Sequence, residues 1–129
     1  MNTSEKGDME LIASDAYSGI DNYEASVIQD SKSLNKFYGR INQTRKPGLP
    51  VPQVDFSKNV LLVMCLGKQK GETTPLLTKT EEENNILITI ELSDKTSSLE
   101  AENSLMSYPF YIYKLQHTSK EVSIQKSGF

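Results

Sequence analysis

The chain has little of what most enzymes and cross-linked domains are built from. Among its 129 residues are one cysteine, Cys65, one histidine, His117, and no tryptophan. A single thiol excludes an intramolecular disulfide framework and a cysteine-based zinc site. A single imidazole excludes the paired-histidine metal motifs, so neither metal nor cofactor is expected. No run of about 18 apolar residues is present, so no segment is long enough to cross a bilayer as a helix. There is no phosphate loop, no G-x-G-x-x-G and no G-x-S-x-G elbow. Gly67 and Gly71 follow an apolar run, but the next segment reads as another strand, which leaves no helix N-terminus to hold a phosphate.

What is present suffices for one lean domain. Hydrophobic residues make up 36% and charged residues 24%, with a mean hydropathy of −0.47, apolar enough for a core. The expected organisation is a disordered segment over residues 1–8 and a single domain over 9–129. Residues 1–8 are polar and lack an apolar h-region, so they form no signal peptide as they stand. Either the protein is cytoplasmic or Met1 stands where an export signal was removed.

Charge is unevenly distributed. Residues 1–30 sum to −6, residues 31–70 to +7 (Lys32, Lys36, Arg40, Arg45, Lys46, Lys58, Lys68 and Lys70 against Asp55), and residues 71–113 to −6. The basic block either faces an acidic partner or neutralises the acidic blocks across the fold, and mixed surfaces favour the second. The net charge of −3 counts against a dedicated nucleic-acid binder.

Periodicity gives seven strands and one helix. Residues 9–14 and 23–29 read as short strands around a turn-rich stretch. Leu34, Phe37, Tyr38 and Ile41 then recur at helical spacing, with Asp30 or Ser31 able to cap the start and Lys32, Lys36 and Arg40 on the wet face. The helix is expected over about 31–42. Residues 42–53 form a loop, because Pro47, Pro50 and Pro52 forbid helix and interrupt ladders; a stiff connector is favoured over a P-x-x-P recognition ligand. Seven apolar residues, Val60 to Leu66, make a central strand buried on both faces, and Cys65 within it reads as a packing residue. Two strands follow, 73–80 and 85–92, and Pro75 suggests that the first is an edge or starts late. Residues 93–104 read as a mobile loop. In the aromatic strand 105–115, Phe110, Ile112 and Lys114 face one way and Tyr111, Tyr113 and Leu115 the other, with Pro109 marking a bulge or an edge that could receive an extended peptide. Residues 121–125 are a last short strand. Together these predict a β-rich α+β domain: an antiparallel sheet or sandwich of six to seven strands with one covering helix.

Candidate chemistry is sparse. His117 sits in a polar turn and reads as a surface residue; the rival is a small hydrolase using it with a neighbouring acid. Glu81, Glu82 and Glu83 lack the calcium-loop pattern and read as a solvated hairpin tip. Asn42-Gln43-Thr44 fits the glycosylation sequon.

Two segments carry a resemblance. Val54-Asp55-Phe56-Ser57-Lys58, followed by the apolar strand and Leu66-Gly67, lies about fifty residues before Tyr108-Pro109-Phe110-Tyr111-Ile112-Tyr113-Lys114-Leu115. In that order, with the helix from Asp30 to Ile41 ahead of them, they resemble the domain that ends the protease-complex subunit PrcB, a domain that also makes up many small proteins of Gram-negative, Bacteroidetes-type bacteria. The resemblance spans roughly residues 20–126. It implies a non-catalytic, exported protein of the periplasm or cell envelope, commonly a lipoprotein whose membrane link is a lipid anchor not present in this chain. Its partner would be a protein, a protease or another envelope component, and not nucleic acid. Members commonly carry a Thr-Gly-Gly-aromatic turn after the central strand. The matching place here reads Lys68, Gln69, Lys70, Gly71, Glu72, Thr73 and Thr74, with one glycine and no aromatic. That turn is the candidate binding site, with the proline-rich loop 46–52 second; no catalytic residue and no metal ligand is expected.

Overall fold

The computed structural model describes residues 9–43, 45–70, 73–94 and 106–128. The expectations of a disordered segment over 1–8 and a mobile loop over 93–104 fall almost wholly outside these residues.

The strands are β1 (Glu10–Asp15), β2 (Glu24–Ile28), β3 (Asn59–Cys65), β4 (Gln69–Lys70), β5 (Thr73–Glu81), β6 (Asn85–Asp94), β7 (Met106–Ser107), β8 (Phe110–Gln116) and β9 (Glu121–Lys126), with helix α1 (Ser31–Ile41) between β2 and β3. One sheet has the order β1-β8-β3-β2 and is antiparallel throughout. The second has the order β5-β6-β9, and β4 and β7 form a small pair. The β-rich α+β sandwich with one helix is thus the observed fold.

The seven apolar residues after Asn59 explain the layering. In a strand, neighbours point to opposite faces, so a continuous apolar run demands cover on both. Leu61, Val63 and Cys65, joined by Phe110 and Ile112 of β8, meet Leu34, Phe37, Tyr38 and Ile41 of α1. Val60, Leu62 and Met64, joined by Leu115, meet Leu77, Ile86, Ile88 and Ile90 of the second sheet. Fully burying a side chain of this size contributes roughly 1.5–3 kcal/mol. The result is three layers, helix on sheet on sheet.

The helix begins where its cap residue dictates. The Asp30 carboxylate accepts a hydrogen bond from the Ser33 N–H at 2.7 Å, satisfying one of the free donors of the first turn. It ends one residue earlier than expected, with Asn42 as its C-cap. The stretch Val54 to Lys58 delivers the chain into β3. Asp55 accepts from the Ser57 N–H at 3.0 Å and hydroxyl at 2.5 Å, its own carbonyl accepts from the N–H groups of Lys58 and Asn59, and Phe56 packs against the helix-side core.

Three expectations are corrected. The sheets are not wholly antiparallel: β9 runs parallel to β6, Ile86 facing Val122 and Ile88 facing Ile124. The aromatic strand is no edge, because β8 lies between β1 and β3. Pro109 stands outside its ladder, in a break that separates β7 from β8, and its carbonyl accepts from the Leu66 N–H at 3.0 Å. Missing its own N–H, a proline is tolerated at that break and would not be within the central ladder.

Candidate functional site

The candidate turn starts from a position that only glycine fills. Gly67 has φ +74°, and a Cβ there would stand 3.0 Å from the Tyr23 nitrogen and 3.1 Å from the Asp21 carbonyl oxygen. The chain therefore leaves β3 at a sharp angle against the loop that precedes β2. Lys68 is exposed. Gln69 donates from Nε2 to the Leu66 carbonyl at 3.1 Å, and Gln69 and Lys70 pair with Ser107 and Met106. Gly71 and Glu72 lie outside the described residues. Thr73 and Thr74 already belong to β5, opposite Asp94 and Ser93. Of what the sequence suggested as a turn, Gln69 and Lys70 lie in one ladder and Thr73 and Thr74 in another.

Thr74, the last residue of the candidate turn, helps to line a groove that the sequence did not reveal. Thr74, Pro75, Leu76 and Leu77 form one wall, and Met9, Leu11 and Tyr113 the other, around a volume of about 390 Å³. Both β1 and β5 are outer strands of their sheets, so the groove lies where the two edges face each other. Leu11 is 48% exposed and Leu76 37%, an apolar pair open to solvent on opposite walls. Pro75 was the available signal for an edge, but its apposition to β1, about sixty residues earlier, is a tertiary fact.

The proline-rich loop is pinned. The Asn42 side chain donates to the Leu49 carbonyl at 2.9 Å and accepts from the Leu49 N–H at 2.8 Å, as a neighbouring strand would. Gly48 lies so close to the Asn42 amide that a Cβ would meet it at 3.0 Å. Those bonds occupy the amide that the sequon would offer for glycosylation. Arg45 bonds Asp15 at 2.7 Å and the Tyr17 carbonyl. Burial pulls against ionisation of Asp15, yet Arg45 and the Tyr17 N–H together hold its carboxyl below the usual range.

The remaining singled-out residues separate from one another. His117 is exposed, its backbone N–H bonding the Lys58 carbonyl at 2.7 Å, and among the described residues no carboxylate forms an ion pair with it. Cys65 is 2% exposed, and burial pushes its thiol up to about 12, which leaves it protonated and unreactive at neutral pH. Glu81 pairs with Lys120 at 2.7 Å, and Lys120 also donates to the Glu82 carbonyl. Among the described residues no cluster of His, Cys, Asp or Glu could hold a metal ion.

On the far side of the first sheet, α1 runs back along β2. Arg40, in its last turn, makes a two-pronged bond to Glu24 at the start of β2, at 3.0 and 2.7 Å. This guanidinium holds the Glu24 carboxyl below the usual range. Two arginines of the basic block thus neutralise two acids of the first acidic block. Between α1 and β2 lies a second groove of about 270 Å³, with Lys36, Ser33 and Phe37 on the helix side, Glu24 and Ser26 on the strand side, and Val63 at its floor.

The class defined by this geometry is a small helix-covered β-sandwich whose open surfaces are sheet edges. No protein-family model, no curated protein and no solved structure matches the chain.

Proposed function

We propose that the chain is a non-catalytic binding domain, an accessory protein of the bacterial periplasm or cell envelope that acts by contact with a protease or another envelope protein. The observation that carries this reading is the open apolar groove between β1 and β5, which Thr74 at the end of the candidate turn helps to line. Exposed leucines facing each other across a groove are the kind of surface that a protein partner covers. The partner's class and the envelope setting come from the resemblance of Val54–Lys58 and Tyr108–Leu115 to the PrcB-type domain. The groove offers a place for partner residues to insert beside the turn, and no acid–base pair enters the account.

The test uses the whole domain as bait against an envelope fraction of the source organism, with two controls. One replaces residues 68–74 by a Gly/Ser turn, and the other carries Leu11→Ser and Leu76→Ser. Retention of a protease or envelope subunit by the native domain, lost in both controls, is the expected result, together with a change in that partner's stability or activity when the domain is added. Retention unchanged by both controls overturns the location. Hydrolytic turnover that disappears in His117→Ala overturns the function.

A further inference from the structure

Among the described residues, the two larger sheets end on four strands with an open side: β1 and β2 in the first, β5 and β9 in the second. An open strand is a template for another chain unless something blunts it. Three of the four are blunted. The pairing of β1 shifts register between Leu11 and Ala13, β5 carries Pro75 and Lys79, and β9 carries Glu121 and Lys126 at its two ends. By contrast β2, Glu-Ala-Ser-Val-Ile, has no proline, glycine, lysine or bulge. Its only charge, Glu24, is neutralised by Arg40.

Beside this edge the helix places two exposed cations, Lys32, whose charge also acts on the capping Asp30 carboxylate, and Lys36. Because Arg40 meets Glu24 while Ser33 lines the groove with Ile28, α1 runs antiparallel to β2 and lies along it. Lys32 and Lys36 are both exposed and form no ion pair with any described residue. One turn apart, they are spaced by about 6 Å along the helix. In an added strand, side chains on one face recur every ~6.8 Å. Acidic residues two apart on a strand laid against β2 would therefore meet Lys36 and Lys32 in turn, with the strand's apolar side chains on the opposite face.

We propose that β2 accepts an extended segment of a partner protein by strand addition, and that the lysines of α1 select a segment with acidic residues at alternate positions. The main-chain bonds to β2 would supply affinity and the lysine row would supply choice. This surface lies on the opposite flank from the groove between β1 and β5, so either can fail without the other.

The probe is an eight-residue peptide alternating glutamate and valine, compared with one alternating glutamine and valine, titrated into the isotopically labelled whole chain. The expected result is that amide signals of Ala25 to Ile28 move, with the glutamate peptide binding about fivefold tighter than the glutamine one. The double variant Lys32→Glu, Lys36→Glu, whose changes fall on exposed helical positions, should erase that preference and keep the circular dichroism of the native chain. Absence of binding at millimolar peptide, a preference that survives the double variant, or signal changes centred on Leu11 and Leu76 would each overturn the proposal. So would a single-stranded oligonucleotide that moves the same amides at lower concentration than the peptide.

Discussion

The two faces of β3 are covered by different means. On the helix side the cover is partly aromatic, with Phe37 set edge-on to both Tyr38 and Phe110, and it is tied down by polar locks: the Asp30 cap, Arg40 to Glu24, Arg45 to Asp15, and Asn42 to Leu49. On the sheet side the cover is aliphatic, a row of Ile86, Ile88 and Ile90 over Val60, Leu62 and Met64, and an ion pair, Lys120 to Glu81, lies at the hairpin end. A helix touches a sheet along a stripe, so its position needs fixing from outside. A second sheet touches over its whole face and is fixed by interdigitation. The helix side should accordingly respond to changes of single polar groups and to pH, and the sheet side to changes of volume.

The largest effect that would break this contrast is expected at Ile88, which is 0% exposed. Ile88→Ala should cost about 2–5 kcal/mol in chemical denaturation, through lost burial and the cavity left behind. A loss under about 1 kcal/mol would mean the second sheet is loosely seated. Gly67→Ala comes next, at about 2 kcal/mol or more, because the left-handed backbone is unfavourable for a Cβ that also meets the Tyr23 backbone. Asn42→Ala should cost about 1–3 kcal/mol, since the Leu49 N–H and carbonyl lose their partners. Amide exchange should accelerate at Leu49 and the end of α1 and leave β6 unchanged.

A pH series sharpens the contrast with a smaller effect. Asp15 and Glu24 have carboxyls held below their ordinary values of 3.8 and 4.5 in the folded protein. Such groups contribute stability that is fully present above the ordinary value and lost as pH falls through the lowered one. Exchange protection in α1 should therefore decline below about pH 4 while that of β6 persists; parallel loss in both would show that the locks do not belong to one face. The smallest expected effect is at Cys65, where iodoacetamide at pH 8 should label the native chain no faster than global unfolding allows.

Much of this fold was legible in the sequence because each element announces itself over a few residues. The helical spacing of Leu34, Phe37, Tyr38 and Ile41, the unbroken apolar run at Val60, and the alternation of Ile86, Ile88 and Ile90 all name a face as well as an element. What alternation cannot name is the neighbour. Nothing in Glu121–Gln125 distinguishes a strand that will run parallel to β6 from one that will run antiparallel. Pro109 pointed to a bulge or an edge, yet the chain breaks the strand there and keeps the remainder in the middle of its sheet. For the site, the resemblance singled out Lys68–Thr74 as a turn, and its pairing with Met106 and Ser107 could not be read from it. The groove beside it is built from β1 and β5, and the β2 flank depends on α1 folding back along its own strand. The first surface exists only once distant segments meet, and the second only once neighbouring ones fold back.

The position of β8 has a consequence for how the chain is made. It stands between β1 and β3 and supplies the neighbour that both require, yet it is made after every other described strand but β9. Until residue 116 has emerged, β1 has nothing to pair with and the apolar run of β3 is bare along one side. Such a topology favours waiting over piecemeal folding, and a product cut short before Phe110 would present Val60 to Cys65 to any other unfinished chain. A sheet with this wiring remains threadable, strand by strand, until β8 itself has been delivered.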